Sequence, residues 1–204
     1  MGVKNPYFLG EIFDLKKCQV LLDGGAYIGD SIEIARKIIP NLRLVFAFEP
    51  NKTSYNKLVD NKRIKELNIR YYNKGLGKCK GQFNFKNDDA GSRISDEGNE
   101  IIDVIAAGDF ISVLNKNEVP DFIKLDIEGT ESEVLDSLAM FIAKHKPDLA
   151  ISIYHKLEDL WTIPLKIKMI CPDYCIYIRH QSNYDTETVC YATPNRSYSR
   201  YQTD

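Results

Sequence analysis

A carboxylate and a set of glycines lie where an apolar run of the chain changes into a helical pattern, in the segment Q-V-L-L-D-G-G-A-Y-I-G-D. Residues 20–22 form the continuous apolar run of a strand buried on both faces, and Asp23 ends it. Gly25 permits a sharp turn without a Cβ that would keep the backbone away from a ligand. Gly29 precedes the helical pattern, so the free N–H groups of that helix start can face a polar ligand. The segment therefore predicts a turn that binds a nucleotide-like ligand.

The spacing of these residues indicates which ligand the turn would bind. A dinucleotide-binding turn has the pattern G-x-G-x-x-G, whereas here Asp23 is followed by Gly25 and then by Gly29. The carboxylate at the strand end would repel a pyrophosphate but would bind an amino group or a ribose hydroxyl. S-adenosylmethionine has a cationic amino acid end and an adenosine and carries no phosphate, so the pattern predicts this cofactor. The alternative is a tight turn between a strand and a helix that binds nothing.

A second carboxylate follows the next predicted strand. The apolar run from Leu42 to Phe48 ends in Glu49, which lies 26 positions beyond Asp23. An acidic residue at the tip of the second strand of a βαβ unit can accept both ribose hydroxyls through its two oxygens. We therefore predict Glu49 as a ribose ligand, and a solvated carboxylate at a strand end is the alternative.

Three ionisable residues alternate with apolar ones in a third segment, D-F-I-K-L-D-I-E-G-T-E. Alternate side chains of a strand point to the same face, so Lys124, Asp126 and Glu128 are expected to share one. Charged groups on a central strand are costly unless they are paired or used, and this segment therefore predicts a functional site. The alternative is an ion pair between Lys124 and Asp126 that only stabilises the sheet.

The elements that would position these residues follow from the apolar pattern of the rest of the chain. Two alternating strands near the C-terminus have no helix between them, which predicts a hairpin. The segment from Lys86 to Glu100 is polar and contains glycines, which predicts a mobile lid or an unstructured excursion. The loop from Asn73 to Gly77 is expected to close over the ligand. The predicted strands are Ile69 to Tyr72, Gly81 to Phe85, Ile101 to Ile105, Asp148 to Tyr154, Tyr174 to Arg179 and Glu187 to Tyr191, and the predicted helices are Thr53 to Asn61, Asp109 to Leu114 and Leu157 to Met169.

Composition narrows the class of protein. With 204 residues, of which 44% are hydrophobic, and no evident linker, the chain is expected to form one globular domain. A net charge of -2 argues against a nucleic acid partner, and the lack of a long apolar run argues against membrane insertion. Five scattered cysteines, an odd number, favour a reduced cytoplasmic setting over a disulfide framework. The sequence is silent on oligomeric state, so an oligomer stays possible.

The turn D-G-G-A-Y-I-G-D, the F-E-P after the second strand and the segment K-L-D-I-E-G-T-E together resemble the FkbM family of S-adenosylmethionine-dependent methyltransferases. The resemblance runs from about Gln19 to Thr193. It implies an α/β, Rossmann-like class I methyltransferase fold, with a mainly parallel seven-stranded sheet, an antiparallel C-terminal hairpin and helices on both faces. It also implies methyl transfer to a hydroxyl of a sugar, glycan or other natural product.

The resemblance and the turn positions together give the expected site residues. The carboxyl ends of parallel strands open into one crevice, so Glu128 and His155, each just past a strand, are candidates for the general base, and Lys124 is counted with them as catalytic. We assign no metal ligand, and a divalent ion held by Asp126, Glu128 and His155 is a secondary hypothesis that unchanged turnover in EDTA would remove. The cofactor-binding residues are expected to be Asp23, Gly25, Ala26, Tyr27, Gly29, Glu49, Asn73, Gly75 and Asp126.

Two other classes of function stay open at this point. A nicotinamide-dependent sugar oxidoreductase is disfavoured because the chain lacks both G-x-G-x-x-G and a Tyr-x-x-x-Lys pair. A non-catalytic domain that binds the cofactor would keep the same motifs. We expect residues 1–18 to be a lead-in or short helix, residues 19–194 the methyltransferase domain and residues 195–204 a polar tail. Because many relatives have a longer N-terminal region, the acceptor side is expected to be more open or completed by a partner chain.

Overall fold

The computed structural model describes residues 6–86, 93–94, 98, 100–182 and 186–194. Its strands are β1 (Val20–Gly24), β2 (Leu44–Phe48), β3 (Ile69–Tyr72), β4 (Gly75–Gly77), β5 (Gly81–Lys86), β6 (Arg93–Ile94), β7 (Glu100–Ala106), β8 (Phe122–Leu125), β9 (Asp148–Ser152), β10 (Cys175–His180) and β11 (Thr188–Thr193). Its α-helices are α1 (Asp30–Ile38), α2 (Lys52–Asp60), α3 (Ala107–Ser112), α4 (Glu131–Ser137), α5 (Ala139–His145) and α6 (Asp159–Ile170).

The main sheet has seven strands in the order β10-β11-β9-β8-β1-β2-β3. The five strands from β9 to β3 pair in parallel, whereas β11 runs antiparallel to both β9 and β10. The predicted mainly parallel seven-stranded sheet with an antiparallel C-terminal hairpin is therefore confirmed. The chain leaves β1 for β2 on one side and later returns to β8 on the other, so a crevice opens at the carboxyl end of β1.

Helices cover both faces of this sheet. Neighbouring residues of a buried strand point to opposite faces, so each strand contributes side chains to both helical layers. Leu22 of β1 packs in the larger core with α3, α4, α5 and α6. Leu21, the residue before it, packs in the second core with α1 and α2. Both residues are fully buried, as the continuous apolar run of this strand predicts. The predicted arrangement of helices on both faces is thus confirmed.

The lead-in packs into the second core rather than lying on the surface. Phe8 and Phe13 are buried, and their rings lie 5.2 and 4.9 Å from the ring of Phe122 on β8, between centroids. The hydroxyl of Tyr191 on β11 donates a hydrogen bond to the carbonyl of Pro6. Residues 6–18 form turns and bends instead of a short helix. The segment from Pro6 to Phe13 is therefore held against the same sheet that forms the site.

A second, four-stranded sheet with the order β4-β7-β5-β6 flanks the crevice. The segment from Gly75 to Gly77, predicted as part of a loop, is instead strand β4, which pairs in parallel with β7. Of the predicted lid, only residues 86, 93–94, 98 and 100 are described, and β6 pairs with β5.

The described part of the chain contains no helix long and apolar enough to cross a membrane, and all five cysteines are free.

Candidate active site

A cavity of about 640 Å³ lies at the carboxyl ends of β1, β2 and β8. This volume falls within the range of small-molecule sites, about 300–1,000 Å³. Side chains of the second sheet, including Phe85 and Ile102, form part of its wall. Among the residues predicted from the sequence, those that line the cavity are Gly25, Tyr27, Glu49, Gly75, Lys124, Asp126 and Glu128, and those that do not line it are Asp23, Ala26, Gly29, Asn73 and His155.

The glycine turn after β1 is pressed against the loop after β8. Gly25 has a φ of 74°, and a Cβ on it would lie 1.8 Å from the carbonyl oxygen of Asp126. Only glycine fits this position, because any other residue would meet both the strained backbone and the neighbouring chain. Gly29 is the N-cap of α1, and a Cβ on it would lie 2.9 Å from Leu58 of α2. Gly25 thus shapes the cavity wall, whereas Gly29 permits two helices to approach each other.

A buried ion pair fixes the turn from behind. The Lys124 Nζ lies 2.9 Å from Oδ1 of Asp23 and donates hydrogen bonds to the carbonyls of Gly24 (3.2 Å) and Gly25 (2.6 Å). Ser31 Oγ donates to the other oxygen of Asp23 at 2.5 Å. Burial alone would lower the pKa of Lys124, but the nearby carboxylates of Asp23 and Asp126 outweigh burial and raise it.

These contacts change the roles expected for two residues. The Lys124 ammonium donates to two carbonyls and is paired with the Asp23 carboxylate, and the raised pKa keeps the group charged, so it has no basic form to offer a substrate. These contacts favour a structural role for Lys124 over the predicted catalytic one. The side chain of Asp23 is fully buried and faces Lys124 and Ser31 rather than the cavity.

Glu49 lines the cavity at the end of β2. Its Oε2 accepts a hydrogen bond from the backbone N–H of Tyr27 at 2.9 Å, and its Oε1 accepts one from Asn51 at 2.8 Å. Burial raises the pKa of Glu49 from 4.5 to about 7, although both hydrogen bonds act in the opposite direction. The side-chain amide of Asn73 donates to the carbonyls of Glu49 and Pro50, each at 2.9 Å, so Asn73 fixes the loop that carries Glu49.

Asp126 lies at the centre of a group of hydroxyl donors. Its Oδ2 accepts from Tyr7 Oη at 2.8 Å and its Oδ1 from Tyr154 Oη at 3.1 Å. Burial would raise the pKa of Asp126, but the charges of Lys124 and His155 outweigh burial and lower it. The ring centroid of Tyr7 is 5.0 Å from Lys124 Nζ, and Tyr7 itself lines the cavity.

Tyr7 is the site residue that the sequence does not indicate, because it belongs to no motif. We expect Tyr7→Phe to lower the free energy of unfolding by about 1–3 kcal/mol, since a buried hydrogen bond to a carboxylate is lost. Urea unfolding followed by circular dichroism measures the change. Tyr55→Phe on α2, outside this network, is the matched control and is expected to change stability by less than about 0.5 kcal/mol. Equal effects of the two substitutions would contradict the role given to Tyr7.

Glu128 and His155, the two predicted candidates for the base, lie together. Glu128 has a φ of 59°, a strained value for a residue with a side chain. Its side chain is 41% exposed, and the residue lines the cavity. His155 is 7% exposed, and its Nε2 lies 3.5 Å from Glu128 Oε2 and 3.4 Å from Asp126 Oδ1. Its Nδ1 lies 2.9 Å from Glu131 Oε1. Burial lowers the pKa of His155, but contact with Glu131 and the other carboxylates raises it to about 8.

The strand order and the position of the cavity are those of the class I methyltransferase fold. The methyltransferase FkbM domain family matches residues 23–184, and the chain therefore belongs to the FkbM methyltransferase family. The predicted family and cofactor are thus confirmed. A search of curated proteins gives no match.

Solved structures agree with this assignment. Methyltransferase FkbM from Methylobacillus flagellatus KT is 27% identical, with a TM-score of 0.66, over 86% of this chain and 43% of that one. The present chain thus spans less than half the length of that relative. Precorrin-6y C5,15-methyltransferase from Geobacter metallireducens GS-15 is 15% identical, with a TM-score of 0.54, over 90% of this chain and 82% of that one. Fibrillarin from Aeropyrum pernix, solved with natively bound S-adenosyl-L-methionine, is 11% identical, with a TM-score of 0.51, over 89% of this chain and 68% of that one. The last two show the fold alone.

Proposed function

We propose that this chain transfers the methyl group of S-adenosylmethionine to a hydroxyl of a sugar, a glycan or another natural product. The observation that carries this proposal is the composition of one cavity. One wall has the glycine turn and Glu49, which suit an adenosine, and the other has the carboxylate of Glu128 on a strained backbone. Such strain persists only where the surrounding structure imposes it, and it is common at active sites.

The residues present fit the cofactor. Gly25 leaves room for close approach of a ligand to the backbone, and the two oxygens of Glu49 each retain a lone pair for a ribose hydroxyl. Asp126, whose lowered pKa keeps it ionised, is suited to the cationic amino acid end. When bound, S-adenosylmethionine supplies an electrophilic methyl group. The protein's own contribution is to hold the acceptor oxygen in line with that methyl group.

Methylation of a neutral hydroxyl also requires a proton acceptor. Glu128 is our choice, because its carboxylate lines the cavity, whereas His155 is buried behind it. Nε2 of His155 lies 3.5 Å from the Glu128 carboxylate and can hold it in place. A positioned base of this kind accelerates a reaction by about 100- to 10,000-fold.

Calorimetric titration with S-adenosylhomocysteine, and with NADH in the same buffer, tests the cofactor half of the proposal. We expect micromolar binding of S-adenosylhomocysteine alone, weakened by Glu49→Ala. Transfer of a labelled methyl group to a panel of sugars, with amines as the comparison, tests the acceptor half. Cofactor binding without transfer to any hydroxyl would leave a non-catalytic cofactor-binding domain as the better description.

The raised pKa of Glu49 predicts that cofactor binding depends on pH. A ribose hydroxyl donates to the ionised carboxylate, so only molecules with ionised Glu49 bind well. At pH 6, one unit below the pKa of about 7, roughly a tenth of the molecules are ionised, and the apparent Kd is expected to be about tenfold higher than at pH 8. Titrations with S-adenosylhomocysteine at the two pH values measure this ratio, and Glu49→Gln is expected to abolish it. A ratio near one for the unsubstituted chain would remove Glu49 as the titrating group.

A further inference from the structure

A group of acidic side chains and one imidazole lies between the loop after β8, the start of α4 and the residues after β9. We call Asp126, Glu131 and His155 the acidic cluster. One donor atom from each member lies within 4.8 Å of the other two. A divalent ion that binds oxygen or nitrogen at about 2.0–2.6 Å holds its ligand atoms up to about 5 Å apart, so the cluster has the dimensions of a metal site.

Buried atoms of this cluster lack partners within the described part of the chain. The Glu131 side chain is fully buried, and its Oε2 has no hydrogen-bond partner there, although its Oε1 accepts from the backbone N–H of Ile127 at 2.8 Å. Nε2 of His155 is also without a hydrogen-bond partner and faces the carboxylates of Asp126 and Glu128. A buried polar atom without a partner costs about 1–3 kcal/mol, so these two atoms in one cluster indicate a missing ligand.

The charges around the cluster indicate that the missing ligand is a cation. Glu128 lies next to His155, and Asp159 of α6, also buried, has one oxygen without a hydrogen-bond partner among the described residues. Four carboxylates thus surround one imidazole. In the described part of the chain, the nearby positive charges are those of His155, Lys156 and Lys124, and Lys124 is already paired with Asp23, so a net negative charge remains for a cation to neutralise.

His155 has the arrangement of a metal-binding histidine. Its Nδ1 faces Oε1 of Glu131 at 2.9 Å, and a carboxylate in this position keeps a proton on Nδ1, so a metal ion would displace the proton of Nε2. Nε2 is on the side of Asp126, the member of the cluster that lines the cavity. Carboxylate oxygens together with one imidazole nitrogen suit a first-row divalent cation such as Mn²⁺ or Zn²⁺.

We infer that the acidic cluster binds one divalent metal ion through Glu131, His155 and Oδ1 of Asp126, which leaves Oδ2 of Asp126, on the side of Tyr7, for the amino acid end of the cofactor. The ion neutralises the excess negative charge and connects the buried end of the cluster to the cavity. If the proposed function holds, the ion lies next to the acceptor, where it would bind a hydroxyl oxygen and lower its pKa. Sugars and other polyhydroxylated compounds offer such oxygens, which narrows the acceptor to this class.

The test is Mn²⁺ binding to the purified chain after treatment with a chelator and desalting. The electron paramagnetic resonance signal of free Mn²⁺ reports the bound fraction without any turnover. We expect one Mn²⁺ per chain, and at least tenfold weaker binding to Glu131→Gln, which keeps an acceptor for the Ile127 N–H. Glu133→Gln removes the same charge from the exposed side of α4 and is expected to bind like the unsubstituted chain.

The outcomes separate this inference from the proposed function. No bound Mn²⁺, or equal losses in Glu131→Gln and Glu133→Gln, would overturn the metal site. If Glu131→Gln does not fold, His155→Gln takes its place, and the stoichiometry of the unsubstituted chain remains decisive. S-adenosylhomocysteine is titrated in parallel into the metal-free chain. A chain that binds S-adenosylhomocysteine but no added Mn²⁺ overturns the metal site alone, whereas a chain that binds Mn²⁺ but no S-adenosylhomocysteine overturns the proposed function alone.

Discussion

Lys124→Met is expected to lower the free energy of unfolding by about 3–5 kcal/mol, the cost of leaving a buried charge without its partner. Lys124 is fully buried, and its ammonium is the only cation that contacts Asp23 among the described residues. Without it, the Asp23 carboxylate must either stay ionised in the interior or take up a proton. The carbonyls of Gly24 and Gly25 lose their donor as well.

Urea unfolding at pH 7, followed by circular dichroism, measures this loss. Lys144→Met removes a charge of the same kind from the exposed side of α5 and is expected to change stability by less than about 0.5 kcal/mol. In the double variant, Asp23→Asn with Lys124→Met, no unpaired charge remains, and part of the stability should return. If Lys124→Met costs no more than Lys144→Met, the ion pair does not hold the turn.

Glu128→Gln is expected to lower kcat by about 100- to 10,000-fold while leaving the affinity for S-adenosylhomocysteine unchanged. Glutamine has the shape of glutamate but cannot accept a proton from the acceptor hydroxyl. Because it meets the same strain at a φ of 59°, the variant should fold as the unsubstituted chain does. Single-turnover transfer of a labelled methyl group, on whichever acceptor the panel identifies, measures the effect.

The matched control for Glu128 is again Glu133→Gln, which lies outside the cavity and is expected to retain full activity. A pH profile distinguishes loss of the base from loss of position. If Glu128 is the base, the residual rate of Glu128→Gln should rise with hydroxide concentration, since the solvent must then remove the proton. A residual rate above a tenth of the original would assign the proton transfer to another group.

The parallel strands were predictable because their signal is local. The apolar run of β1 and the strand at Ile69–Tyr72 follow directly from residue type, and the side chain of Asn51 caps the helix at Lys52–Asp60 by accepting from the Ser54 N–H at 2.9 Å. The hydroxyl of Thr130, at the start of α4, does not cap its helix and donates to the carbonyl of Ile127 instead. Local competition of this kind cannot be read from residue type alone.

The features that were missed depend on contacts between distant parts of the chain. The alternation around Lys124 predicts a charged face but not its partner, and the partner is Asp23, 101 residues earlier, rather than Asp126. Strand β4 has only three residues, two of them glycine, so it has the composition of a loop and becomes a strand only by pairing with β7. Tyr7 enters the site through tertiary packing that no short pattern encodes.

The contacts of Pro6 and Tyr7 join three regions that are far apart in the sequence. Tyr7 reaches Asp126, 119 positions later, and the carbonyl of Pro6 accepts from Tyr191, 185 positions later. During synthesis, Pro6 is made long before Tyr191, so this segment gains all its contacts only after β11 has formed. A chain truncated before β11 would lack the contact that holds Pro6, and we expect its neighbour Tyr7 to be less well fixed against Asp126.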